Sequence, residues 1–277
     1  MKLHTIHTGF FKLDGGAMFG IVPKTIWQKL NPPNENNMCT WAMRCLLIED
    51  ENKLILIDNG IGNKQSEKFF SYYHLSGDFS LKKSLSDLGF STADITDNFL
   101  SHLHFDHAGG GIEWNDDRTG YQTTFKNATY WTSKKHWANA LDSNPREKAS
   151  FLKENLLPME ESGQLKFVDD GHDLPFEIFH SDGHTHGMMV AMIPCKDTKV
   201  CFVADLFPSM HHIPVNYNMG YDIEPLSIMK EKKAFLDMAT SNNWVLFFEH
   251  DPLNECCTVE LTERGYKPKE IFKLSEL

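Results

Sequence analysis

The stretch "LSHLHFDHAGGG", Leu100–Gly111, places His102, His104, Asp106 and His107 within six positions. Titratable groups crowded this closely repel one another when charged, and each costs free energy to desolvate. A divalent cation offsets both costs, because neutral imidazole and carboxylate oxygen suit zinc and related metals. One ion takes about three or four protein ligands. Four donors in one loop, joined by others from distant strand ends, would therefore serve two ions. The distant donors follow from one criterion, a His or Asp closing an apolar strand-like run. His184 follows "FEIFHSDG", Asp205 ends "VCFVAD" and His250 ends "WVLFFEH". An Asp in that position is costly unless it is paired or metal-bound.

The runs around these residues set the organisation. "RCLLIE" (Arg44–Glu49) and "KLILID" (Lys53–Asp58) predict a β-hairpin across "DEN", with Asn59–Gly60 as a closing turn. Leu81, Leu85 and Leu88 share a helical face that Gly89 ends. "NFLSH" leads into the histidine loop as a short strand, and "ATYWTS" predicts another. Helical patterns follow at Lys134–Leu141 and Arg146–Leu157. Phe176–His184, Gly187–Pro194, Lys199–Asp205 and Trp244–Asp251 predict strands, and Pro225–Ser241 a helix. Strands in both halves with helices between them suit two packed sheets with helices outside, and residues 1–277 are expected to form one domain.

Bulk properties narrow the function. The chain has 277 residues, 41% of them hydrophobic, which supports a sizeable core. A net charge of −11 and the lack of a basic run argue against nucleic-acid partners. "MKLHTIHTGFFKLDGG" at the N-terminus has no long apolar run, so neither a signal peptide nor a membrane span is expected. The six cysteines, at 39, 45, 195, 201, 256 and 257, form no Cys-x-x-Cys pair. They are expected to be reduced thiols in a cytoplasmic protein, with Cys45, Cys195 and Cys201 as core filler.

His102-x-His104-x-Asp106-His107, followed by His184, Asp205 and His250, resembles the metallo-β-lactamase superfamily in motif and order over nearly the whole chain. Asp58 in "LILIDNG" matches that family's early strand-end aspartate, which supports the metal-binding loop from behind. The resemblance implies a four-layer αββα sandwich with metal at one edge of the two sheets. It further implies that His102, His104 and His184 hold one ion, that Asp106, His107 and His250 hold a second, and that Asp205 bridges them. Two divalent ions are implied as cofactors, zinc foremost, with manganese, iron and cobalt also suited to such donors. A metal-bridging hydroxide would be the nucleophile, and Asp106 would handle a proton after attack.

"LDGGAMFGIVPKTIW" (Leu13–Trp27), "ADLFPS" (Ala204–Ser209) and "MGYDIEPLS" (Met219–Ser227) look like the branch of quorum-quenching N-acyl-homoserine lactonases, with organophosphate hydrolases nearby. The implied substrate is a small lactone or related ester, with no nucleic-acid or membrane partner. Departures are present. The usual His-Thr-Pro-Gly is here His184-Thr185-His186-Gly187, and Pro208 stands where well-studied lactonases carry Tyr. Tyr221 is the candidate to supply that phenol, the alternative being a structural tyrosine.

Met18 and Phe19 lie in an apolar segment where Gly15 and Gly16 would let the chain fold over the cleft, against core packing as the alternative. His211 and His212 are candidate substrate contacts or loop and core histidines. Lys230, Lys232 and Lys233 are expected on a solvated helix face. A hydrolase and a non-hydrolytic redox or metal-binding protein both fit the pocket. His104 favours the hydrolase, because diiron relatives carry Glu there together with a flavin domain. Metal content and colour discriminate between the two.

Overall fold

The computed structural model describes residues 1–277. Along the chain run β1 (Lys2–Asp14), α1 (Gly15–Phe19), α2 (Lys24–Trp27), β2 (Met38–Asp50), β3 (Lys53–Ile57), α3 (Glu67–Tyr73) and α4 (Leu81–Asp87). Then come β4 (Asp97–Phe99), α5 (Phe105–Ala108), β5 (Ile112–Trp114), β6 (Tyr121–Thr123), β7 (Thr129–Thr132), α6 (Lys134–Leu141), α7 (Lys153–Glu161) and β8 (Leu165–Phe167). The second half holds β9 (Glu177–Ser181), β10 (Met188–Cys195), β11 (Thr198–Phe202), α8 (Pro225–Ser241), β12 (Val245–Phe247), β13 (Cys256–Thr262) and β14 (Gly265–Phe272).

Two six-stranded sheets result, in the orders β1-β2-β3-β4-β7-β8 and β14-β13-β12-β11-β10-β9, while β5 and β6 form a separate ribbon. The period-2 alternation of a strand explains the layering. In β2 and β3, Leu46, Ile48, Ile55 and Ile57 face the second sheet, where they meet Val190, Val200, Phe202 and Leu246. Leu47, Leu54 and Leu56 face the other way, onto Leu85 of α4, Trp137 of α6 and Leu156 and Met159 of α7. Both faces are covered, so these strands read as unbroken apolar runs. On the far side Phe235 of α8 packs edge-on against Phe179 and near Trp244. The molecule is thus an αββα sandwich. No helix is long and apolar enough to cross a membrane, and all six cysteines are free.

Sequence reading and structure part at four places. β1 is a 13-residue strand paired along β2, with an irregularity between His7 and Phe10. Its Thr and His content weakened the alternation. The C-terminal β13–β14 hairpin is the opposite case, a charged strand pair. The segment Asn144–Ser150 is not the start of a helix, and α7 begins only at Lys153. Lys232 does not sit on a solvated face. It is 1% exposed, and its ammonium donates to the carbonyls of Pro214 (3.0 Å) and Tyr217 (2.9 Å).

Candidate metal centre

Parallel pairing aligns the strand ends that matter. β3, β4 and β7 are mutually parallel, as are β11 and β12. Asp58 follows β3, His102 follows β4, Asp205 follows β11 and His250 follows β12, so all emerge at one edge of the sandwich. His104 precedes the single turn α5, and Asp106 and His107 ride on that turn. The glycines after it are required by close approach. A Cβ on Gly109 would lie 2.2 Å from the Ile61 carbonyl oxygen, and one on Gly110 2.1 Å from that of Asn59. Gly109 itself has an ordinary helical φ of −68°, so it is steric room and not a left-handed backbone that calls for glycine here.

Seven donors converge in two buried groups, His102/His104/His184/Asp205 and Asp106/His107/His250. In the first, His104 Nδ1 lies 3.1 Å from His102 Nε2 and 3.3 Å from His184 Nε2. In the second, His107 Nε2 and His250 Nε2 are 3.1 Å apart. Asp205 sits between the groups. Its Oδ2 is 3.1 Å from His184 Nε2, and its Oδ1 is 3.3 Å from His250 Nε2.

Hydrogen bonds on the outer side of the rings fix the tautomers. His250 Nδ1 faces the Ala42 carbonyl oxygen at 2.8 Å and must donate. His184 Nδ1 donates to Asp222 Oδ1 at 3.0 Å, and His107 Nδ1 to Asp58 Oδ2 at 3.0 Å. Ser101 Oγ gives its proton to Asp58 at 2.6 Å, so it accepts from His102 Nδ1 at 3.1 Å. These four imidazoles, when neutral, therefore turn lone pairs inward. Bare lone pairs 3.1 Å apart repel, whereas ligands ringing a zinc at about 2.0–2.1 Å stand about 3.3 Å from one another. Asp205 Oδ1 is also buried without a hydrogen-bond partner. The donor set fits a cation.

Several contributors had no sequence signature. Ser101, Asp222 and Glu147 lie behind the histidines, far from them in the chain or hidden among ordinary polar residues. Glu249 Oε2 approaches His107 Nδ1 at 2.9 Å. Burial pushes its carboxyl upward and Asp58 adds to the shift, while His107 opposes it. Its one sequence hint is its place directly before His250 at the end of the apolar run "WVLFFEH".

A cleft of about 360 Å³ opens over the donors. Leu13, Met18, Phe105 and Met219 give it apolar walls, and Tyr73, Arg146 and Tyr221 its polar rim. Burial first, then Asp106, raises the phenols of Tyr73 and Tyr221, so both stay protonated at neutral pH. Met18 and Tyr221 thus lie at the cleft, but Phe19, His211 and His212 do not. Phe19 is fully buried, stacked between Trp27 and His212 at 5.6 and 4.8 Å. His212 is locked by Ser209 Oγ and the Met18 carbonyl. His211 borders a separate hollow with Phe10, Leu30 and Leu253. The large apolar rings of the segment went to the core because α1 lies against β1 and β2.

Three comparisons bear on this arrangement. The family described as "Metallo-beta-lactamase superfamily" matches residues 44–250. A probable metal-dependent hydrolase from Staphylococcus aureus superposes with a TM-score of 0.85 at 26% identity, covering 98% of each chain. AidC, a dizinc quorum-quenching lactonase seen with its product, has the same fold with a TM-score of 0.77 at 24% identity, over 98% of this chain and 95% of that one. An N-acyl homoserine lactonase of Bacillus cereus is 24% identical over 265 residues, 90% of this chain and 93% of its own length.

Proposed function

The chain belongs to the metallo-beta-lactamase superfamily, and from that premise we propose a dinuclear metal-dependent hydrolase that opens the lactone ring of N-acyl-homoserine lactones or closely related small esters. One observation carries the dinuclear reading. The two oxygens of Asp205 face different nitrogen groups, at 3.1 and 3.3 Å, as a carboxylate shared by two cations must. His102, His104 and His184 would hold one ion, and Asp106, His107 and His250 the other. Ions held there would lower the pKa of water to about 7 and polarise a carbonyl oxygen.

The chain's own groups supply the rest. Asp106 borders the cleft, with Oδ2 3.7 Å from His250 Nε2, and is placed to accept a proton released above the donors. The protonated phenols of Tyr73 and Tyr221 can donate to an ester or amide oxygen. Tyr221 thereby takes the part that Pro208 cannot play. The apolar walls at Leu13, Met18, Phe105 and Met219 suit an acyl chain. The names of AidC and the Bacillus cereus enzyme favour lactones within this class.

The test is a panel of acyl-homoserine lactones, aryl esters and phosphotriesters, assayed on protein with measured metal content. About two ions per chain and highest kcat/KM on the lactones are expected. Turnover of phosphotriesters alone would overturn the lactone reading. A coloured iron protein with no turnover of any ester would overturn the hydrolase.

A further inference from the structure

Four of the five converging histidines have a hydrogen-bond partner on the outer nitrogen, as described above. His104 is the exception. Its Nδ1 points inward, and its Nε2 is buried without a partner. Facing that nitrogen at 3.8 Å is Oε2 of Glu147.

Glu147 is held as a built feature. Its side chain is 3% exposed. Oε1 accepts from the amides of Asn139 (2.9 Å) and Asn144 (2.8 Å), and Oε2 accepts from Thr185 Oγ1 (2.8 Å). A buried carboxylate is costly unless donors surround it; two of these donors are local, Asn139 and Asn144, and Thr185 comes from 38 residues further along the chain. They leave one lone pair of Oε2 free on the side of His104. The preceding residue works in the other direction. The Arg146 guanidinium donates to the carbonyls of Gly220 and Asp222, and the carboxylate of Asp222 receives His184 Nδ1. The segment Asn144–Glu147 thus faces the outer side of His104 directly and reaches His184 only through Asp222, both of the first group.

We infer that Glu147 is a positioning residue that keeps His104 in its Nε2–H tautomer, aims the Nδ1 lone pair inward, and so tightens the His102/His104/His184 site selectively. This rests on reading these groups as a metal site. A carboxylate behind a ligating imidazole fixes ring and tautomer, and its loss typically costs 10–100-fold in metal affinity. The 3.8 Å gap closes to hydrogen-bond length when His104 shifts toward Glu147 by less than about an ångström.

The experiment titrates zinc-loaded wild type, Glu147→Gln and Glu147→Leu with a competing chelator and counts ions retained per chain, with circular dichroism as the folding control. Glu147→Leu should release one ion 10–100-fold more readily and keep the other at wild-type affinity. Glu147→Gln has one carbonyl oxygen, which cannot accept from both the asparagine pair and the His104 side, so it should lose affinity at the same site, by no more than Glu147→Leu. Adding His250→Ala to Glu147→Leu should loosen the remaining ion too. Imidazole ¹⁵N spectra of the zinc-loaded wild type should show the His104 proton on Nε2, a readout independent of any variant's folding. A His104 proton on Nδ1, or Glu147→Leu holding both ions as tightly as wild type, would overturn the inference alone. A wild type that binds no zinc would overturn the metal reading, and this inference with it.

Discussion

Asp205 has two oxygens, and each is assigned to a different imidazole group. Replacing one oxygen by an amide nitrogen turns a lone pair into N–H bonds aimed at other donors' lone pairs. Asp205→Asn should therefore weaken both ions, with activity falling by more than the 10–100-fold typical of an outer partner. Metal analysis that finds two tightly held ions and full activity in this variant would refute the bridging role. His184 and His186 make a sharper contrast, being two residues apart. His184 Nε2 points to Asp205, whereas His186 engages the fold through its carbonyl, which accepts from His136 Nδ1 at 2.7 Å. His184→Ala should lose metal from the first group, and His186→Ala should retain the wild-type ion count. Equal metal loss in the two would make both ligands. At this scale the inward donors were legible, because a His or Asp closing an apolar run is a conflict that needs an explanation. Their outer partners were not. Ser101, Asp222 and Glu147 are ordinary polar residues until the fold sets them 3.0–3.8 Å from a ring.

Among elements, α1 divides its two apolar side chains between roles. Met18 lines the cleft, and Phe19 is buried in the aromatic stack behind it. Phe19→Ala should cost about 3–5 kcal/mol of stability, the range for emptying a buried aromatic site, while kcat/KM still rises with acyl length. Met18→Ala should flatten that rise and, because Met18 is itself 1% exposed, should also cost about 2–5 kcal/mol of stability, so the chain-length profile is what separates the two residues. The reverse pattern, measured by denaturant unfolding and a chain-length series, would place the acyl chain elsewhere. The hairpin β2–β3 was readable as two unbroken apolar runs buried on both faces, and helices α6 and α8 because their burial follows the helical period. β1 and β13–β14 were not, since one carries Thr and His at half-buried positions and the other alternates charges on an exposed face. The 146–157 stretch has helical spacing from end to end. Its first part is held out of the helix by Asn144, whose Oδ1 accepts from Arg146 N, and by Glu147's own bonds.

For the whole molecule, the seven donors straddle both sheets. His102, His104, Asp106 and His107 belong to the first, and His184, Asp205 and His250 to the second. Ions bound to the native state alone stabilise it in proportion to the logarithm of their free concentration. Chelation should lower the unfolding midpoint, and zinc should restore it in a concentration-dependent way. A midpoint indifferent to zinc would show that the sheets hold without the ions. Lys232 contributes a separate pH dependence. Burial lowers its ammonium from 10.5 to about 7. Between these values the unfolded chain binds the extra proton, so native stability rises with pH. Relative to Lys232→Met, the wild type should gain stability from pH 7 to pH 10, and a flat difference would show that Lys232 keeps its charge. The opposed lone pairs of His107 and His250 have one more consequence. A metal-free chain must close its two sheets against a local frustration that its own hydrogen bonds enforce, and it can relieve that frustration only by splaying the edge or by taking up protons. Such an edge is the natural place for cleavage to begin. In a metal-poor cell the level of this protein would then track the supply of divalent ions, through survival of the chain rather than through its synthesis.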